Sequence, residues 1–157
     1  MASFLWMLRH GEAVPHGSTA DDADRALTPK GEHQSRTAGQ ALARAGAEFD
    51  ACYASPKVRA ADTARLAAEA LGVAVTEAPE IASGFDADAA RALAEAHDGN
   101  VLVVGHEPDF SQIVHDLTGA RVDFKKGGVA AIRLGPSPEL LALLRPAELI
   151  AMAGERH

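Results

Sequence analysis

Two wholly apolar runs stand out along the chain, Phe4 to Leu8 and "VLVVG" at 101–105. Each is consistent with a strand covered on both faces, the second also being rich in β-branched residues. Elsewhere the period lengthens. "TPKGEHQSRTAGQALARAG" predicts a helix with Thr28 as N-cap, Pro29 at its first position and Gly46 near its stop. Asp50 to Ala54 predicts a short strand. "SPKVRAADTARLAAEALG" predicts a second helix, capped by Ser55 and closed at Gly72, with Val58, Leu66 and Leu71 on its apolar stripe.

"VAVTE" reads as another strand, and "FDADAARALAEAHDGN" as a third helix capped by an Asp and stopped at Gly99. "EPDFSQIVHDLTG" predicts a fourth helix with Phe110, Ile113, Val114 and Leu117 on one side. "GVAAIRL" and "ELLALLR", separated by "GPSP", predict a closing pair of strands. Residues 14–27, polar and punctuated by Pro and Gly, read as a loop. Such alternation predicts a three-layer α/β/α sandwich with a largely parallel central sheet. The chain has 157 residues with no repeat and no linker, so a single domain over 1–157 is expected.

Composition narrows the function classes. The net charge is −7, so the bulk positive field that nucleic acid or an anionic membrane would need is absent. An anionic substrate would have to be drawn by a local cluster of cations. Cys52 is the only cysteine, which rules out an internal disulfide and a cysteine-based metal knot. "FLWML" is too short for a signal sequence or a membrane span, so a cytoplasmic location is expected. Nothing points to an obligate interface, and a monomer is expected.

The charged and imidazole residues fall at the ends of the predicted strands. Open α/β sheets bind ligands beyond the carboxyl ends of their strands. The first strand runs into Arg9, His10 and Gly11, and the "VLVVG" strand into His106 and Glu107. The Asp50–Ala54 strand leads to Arg59 in the first turn of a helix. Two imidazoles and two guanidiniums thus converge on one rim. Arginine forks match the paired oxygens of a phosphate, and helix N-termini add N–H donors. Neighbouring cations would hold His10 neutral, and a neutral imidazole pinned at one nitrogen offers the other as a nucleophile.

"LRHGEA", "SPKVRAADTA" and "VVGHEPDF", in that order, resemble the three signatures of the histidine phosphatase superfamily. "DRALTPKG" and "FKKGGVAAIRL" are similar to its SixA-type phosphohistidine phosphatase branch. The resemblance runs from residue 3 to about 148. It implies a phosphoglycerate mutase-like fold and a metal-independent phosphatase without cofactor, working through a phosphohistidine intermediate on His10. Arg9, Arg59 and His106 would contact the phosphoryl group. Arg25 in "DRALT" is similar to a basic position facing the pocket, and Gly11 and Glu80 are expected to contribute to substrate binding.

Larger members of the superfamily insert a segment after the third strand that supplies a proton donor. Here only "TEAPEIAS" occupies that place. Glu80 is its nearest acid, with Glu12, Asp21, Asp22 and Glu107 as competitors. A short insert implies an open pocket, suited to a side chain on a protein surface. The partner expected is therefore a phosphorylated (phosphohistidine) protein, with a small phosphorylated metabolite as the alternative.

Three other readings remain to be weighed. "CYASPKVR" resembles a Cys-to-Arg phosphate loop, but six residues separate Cys52 from Arg59 where five are needed, and a thiol inside a strand is inert. A metal hydrolase on His10 and His106 would set Arg9 and Arg59 against the cation. A non-catalytic phosphate-binding module on the same fold is the third. For Arg59 the plain alternative is an ion pair with Asp62 or Asp50. His16, His33, His97, His115 and His157 are expected at the surface, and the run Asp21, Asp22, Asp24 is expected to be a solvated face.

Overall fold

The computed structural model describes residues 2–154. Strand β1 (Phe4–Arg9) lies in the middle of a six-stranded sheet with β2 (Phe49–Ala54), β3 (Val75–Glu77), β4 (Asn100–Gly105), β5 (Val129–Arg133) and β6 (Glu139–Leu144). The spatial order is β3-β2-β4-β1-β5-β6. The first four are mutually parallel, and β5 and β6 add an antiparallel edge beside β1. Five helices cover it: α1 (Pro29–Arg44), α2 (Val58–Leu71), α3 (Ala87–Glu95), α4 (Asp109–Thr118) and α5 (Pro146–Met152).

The alternation of side chains along the central strands divides the core in two. Leu5 and Met7 of β1 join Val101 and Val103 of β4 against Phe110, Ile113 and Val114 of α4. Leu8, Leu102 and Val104 point the other way, onto Ala38, Ala41 and Leu42 of α1, Ala60 and Ala64 of α2, and Leu149 of α5. Burying each such leucine contributes about 1.5–3 kcal/mol. The abundant alanines have a specific use here. Helices α1 and α2 lie so close that a Cβ on Gly39 would stand 2.2 Å from the Ala67 carbonyl oxygen. No helix among the described residues is long and apolar enough to cross a membrane.

Several elements differ from the sequence expectation. Helix α2 begins at Val58 with Lys57 as its N-cap, so Ser55 is not the cap. The hydroxyl of Ser55 is used elsewhere, as shown below. Helix α3 ends at Glu95, short of Gly99, and β3 is confined to Val75–Glu77. The loop over 14–27 holds a 3-10 turn at Asp22–Asp24, and Ala13 bridges to Leu27. Helix α5 was not expected. It starts at Pro146 after β6, and the Glu148 carboxylate accepts the Arg145 N–H at 2.9 Å and pairs with the Arg145 guanidinium at 2.7 Å.

Register positions the rim. Arg9 pairs with Gly105 across β1 and β4, and the His10 N–H donates to the Gly105 carbonyl at 3.1 Å. On the other side of β4, the Ser55 N–H donates to the Val104 carbonyl at 3.0 Å. His10, His106 and Ser55 therefore follow three neighbouring strands at the same level.

Candidate active site

His10 and His106 face each other with ring centroids 5.3 Å apart. Each is 7% exposed, Arg59 is 5% and Arg25 is 7%, an unusual concentration of buried ionisable groups. Together with Arg9 they line a cleft of about 390 Å³, to which Ala82–Gly84 and Glu107–Asp109 also contribute.

Each side chain is held by the element beneath it. His10 Nδ1 lies 2.7 Å from the carbonyl of Gly11. A carbonyl only accepts, so Nδ1 carries the proton and Nε2 keeps the lone pair. The Gly11 N–H donates to Thr63 Oγ1 at 3.1 Å, and Thr63 donates to the Arg59 carbonyl at 2.7 Å, which ties the His10 loop to the first turn of α2. Gly11 is itself wedged against α1, since a Cβ there would stand 2.5 Å from the Gly31 carbonyl oxygen.

His106 Nε2 lies 2.8 Å from Ser55 Oγ, which also accepts the Lys57 N–H at 3.2 Å. The Ser55 hydroxyl has its proton to give to Nε2, the arrangement that carries the His106 proton on Nδ1. Arg9 Nη1 donates to the Phe124 carbonyl at 2.7 Å. Arg59 Nη1 and Nη2 reach the Asp22 carbonyl and carboxylate at 3.0 and 3.2 Å, and Arg25 Nε meets the same carboxylate at 2.7 Å. Asp22 thus lies between two guanidiniums that would otherwise repel. Its own acidity is strengthened, first by Arg25 and then by Arg59.

The buried side-chain nitrogens without a hydrogen-bond partner among the described residues are Arg9 Nε, Arg59 Nε and His106 Nδ1. All three belong to the side chains gathered at this cleft. Buried polar nitrogens are nearly always paired, so three unpaired ones in one place, two of them guanidinium donors, mark a site built for an acceptor-rich, anionic ligand.

Residues 5–83, half of the chain, match the histidine phosphatase superfamily (branch 1). The chain belongs to that superfamily. This histidine phosphatase superfamily member is 34% identical to an uncharacterized protein of Picosynechococcus sp. over 140 residues, 83% of this chain and 85% of that one. It is also 41% identical over 73 residues to the 2,3-bisphosphoglycerate-dependent phosphoglycerate mutase of Thermobifida fusca, covering 45% of this chain and only 30% of the mutase. Among solved structures, the protein histidine phosphatase SixA complexed with tungstate superposes with a TM-score of 0.84 at 25% identity, over 93% of this chain and 99% of that one. The phosphoglycerate mutase-like, three-layer fold expected from the sequence is the fold found.

The superfamily member brings Arg9, His10, Arg25, Arg59 and His106 to one cleft. Two other expected site residues are placed differently. Glu80 is exposed on the 3-10 turn Pro79–Ile81 and is not among the cleft's lining residues, because the turn aims its Ala82–Gly84 end inward instead. Gly11 is buried behind His10 and does not line the cleft. Its part is to orient the ring.

Other residues of the site were not foreseen. Asp22, expected in a solvated face and weighed as a candidate acid, instead holds both Arg25 and Arg59, whereas Asp62 pairs with Arg65. His16 is exposed, yet it lines the cleft and sits 3.2 Å from the same Asp22 carboxylate. His97 is half-buried against the Tyr53 hydroxyl at 2.9 Å, His33 and His115 are exposed, and His157 lies outside the described residues. Ser55, Thr63, Lys57 and Lys126 complete the surroundings. The only sequence signal for Thr63 is its place one turn after Arg59. Cys52 is 1% exposed, and burial pushes its thiol up to about 12, in keeping with an inert core residue. Among the described residues no three His, Cys, Asp or Glu side chains are grouped so as to hold a metal ion.

Burial lowers His10 to about 4, opposed by the Gly11 carbonyl and assisted by Arg59, Arg9 and Lys126. Burial also lowers His106 to about 3, assisted by His10, Arg59 and Lys57. Both rings are therefore neutral at physiological pH. Between pH 6.5 and about 4 the unfolded chain binds protons that the folded chain refuses, so stability must fall as pH falls through that window. The slope is at most about 1.4 kcal/mol per pH unit for each ring. Urea unfolding at pH 7, 6, 5 and 4.5 is expected to show this decline and to show it reduced in His10→Gln. An unchanged slope in the variant would contradict a neutral, buried His10.

Proposed function

We propose that this chain is a SixA-type protein phosphohistidine phosphatase that passes the phosphoryl group through His10. The observation that carries the reading is the set of unpaired buried donors, Arg9 Nε, Arg59 Nε and His106 Nδ1, beside an imidazole whose Nε2 holds a lone pair. Donors fixed in advance around a trigonal phosphoryl group stabilise the charge that spreads over its equatorial oxygens.

His10 Nε2 attacks phosphorus while the P–N bond to the substrate imidazole breaks. The substrate ring, protonated on its other nitrogen, leaves neutral with the bonding pair. Water then attacks the phosphohistidine, the P–Nε2 bond breaks, and phosphate departs with His10 restored. An imidazole leaving group needs no acid during bond breaking, whereas an alkoxide does. Placement of Glu80 away from the cleft is in keeping with that requirement.

The test compares a histidine peptide phosphorylated with phosphoramidate against p-nitrophenyl phosphate. A kcat/KM at least about tenfold higher on the peptide is expected, with tungstate competing against both substrates. Preference for the ester would overturn the phosphohistidine reading and make the cleft that of a small-molecule phosphomonoesterase. Turnover of neither would favour a phosphate-binding module.

A further inference from the structure

The chain has four lysines, Lys30, Lys57, Lys125 and Lys126, in a protein of net charge −7. All four border either the active-site cleft or one adjoining hollow. Lys57 and Lys126 line the cleft. Lys30, Lys125 and Lys126 line the hollow, which has a volume of about 470 Å³ and shares Arg9 and Lys126 with the cleft. The positions are scattered in sequence, so the clustering is a product of the fold.

Seven lysine and arginine side chains line the cleft and the hollow, against three acids, Glu12, Glu107 and Asp109. Glu12 in the hollow accepts the Thr28 hydroxyl at 2.7 Å, and Glu107 in the cleft accepts the N–H of Ser111 at 2.7 Å. Asp22 is bound to Arg25 and Arg59. Only Lys125 of the four lysines is held in an ion pair among the described residues, with Asp123 at 2.8 Å, and both partners are more than half exposed. Such a surface pair contributes little. A net excess of cations therefore rims the cleft on an acidic molecule.

Cation type is sorted by depth. The guanidiniums of Arg25 and Arg59 are buried and tied down, whereas Lys30, Lys125 and Lys126 are exposed. Rigid forks read one phosphoryl group geometrically; flexible, hydrated ammonium groups attract a broad negative surface without fixing its shape. A second phosphoryl group on a small substrate would call for fixed donors in the hollow. Its one guanidinium, Arg9, already gives Nη1 to the Phe124 carbonyl.

We propose that this lysine rim docks an acidic face of the phosphorylated protein, beside the phosphohistidine that enters the cleft. The proposal rests on the phosphohistidine reading above.

The test uses two phosphohistidine peptides of one length, flanked by four Glu or by four Gln, with p-nitrophenyl phosphate as the small substrate. The Glu-flanked peptide is expected to show a kcat/KM roughly five- to tenfold higher at 20 mM salt, falling to near parity at 500 mM. Lys30→Gln/Lys125→Gln, which leaves the cleft residues intact, is expected to remove most of that preference while changing p-nitrophenyl phosphate turnover less than about twofold.

Equal turnover of the two peptides overturns docking and leaves the phosphatase reading standing. So does a preference that survives in the double variant. Failure on both peptides with the ester still hydrolysed overturns both readings. A KM rise in the double variant confined to a small bisphosphate would instead assign the hollow to a second phosphoryl group and overturn protein docking.

Discussion

Replacing His10 with alanine is expected to lower kcat by at least roughly 10⁴-fold and to abolish an acid-labile phosphoryl label on the protein. No other imidazole offers a substitute of equal quality. His106 is engaged through Nε2 with Ser55, and its unpaired Nδ1 is the nitrogen proposed to meet the phosphoryl oxygens. The expected loss is in chemistry, not in folding, because a neutral ring is removed from a site whose other donors remain. Rapid quench with ³²P-labelled substrate, with circular dichroism to establish the fold, makes the measurement. Labelling of His10→Ala at the wild-type level would sink the nucleophile assignment.

The second large effect is expected at Arg59, where alanine should cost about 10²- to 10³-fold in kcat. Lysine should restore little of it. Arg59 reaches the site from the first turn of α2 and spends Nη1 and Nη2 on Asp22, so its planar fork both braces Asp22 and presents Nε. A single ammonium group cannot do both. Steady-state kinetics on the phosphohistidine peptide would separate the two roles. A loss in kcat with little change in KM marks stabilisation of the transition state, whereas a rise in KM alone marks simple anion binding. Full activity in Arg59→Lys would contradict the fork argument.

How much of this was legible in the sequence follows from what each pattern reports. The apolar runs before Arg9 and after Asn100 could hardly be anything but covered strands, and a parallel sheet places whatever follows such strands on one edge. Arg9, His10, Arg59 and His106 were visible for that reason. Ser55 was misread because a hydroxyl before a helical pattern ordinarily caps it. Nothing local shows that its lone pair is needed by a lysine amide and its proton by a histidine from another strand.

Asp22 was misread for a related reason. A run of acids in a loop is usually solvated, and only the tertiary fold brings Arg25 and Arg59 to it. Helix α5 was missed because "ELLALLR" dominates the closing stretch, while the start of the helix is marked by just Pro146 and the bonds from Arg145 to Glu148. The lysine rim is invisible by nature. Positions 30, 57, 125 and 126 acquire meaning only after three distant segments have been folded together.

The pairing of Arg9 with Gly105 has a consequence beyond placing two rings. Strand side chains change sides at every step, so a slip of one residue between β1 and β4 would turn His106 away from His10 and drive an imidazole toward the hydrophobic interior. Misaligned molecules would be both inert and penalised. The interstrand ladder therefore acts as a gauge, and competence to react is withheld until the middle of the domain has settled into its one correct alignment.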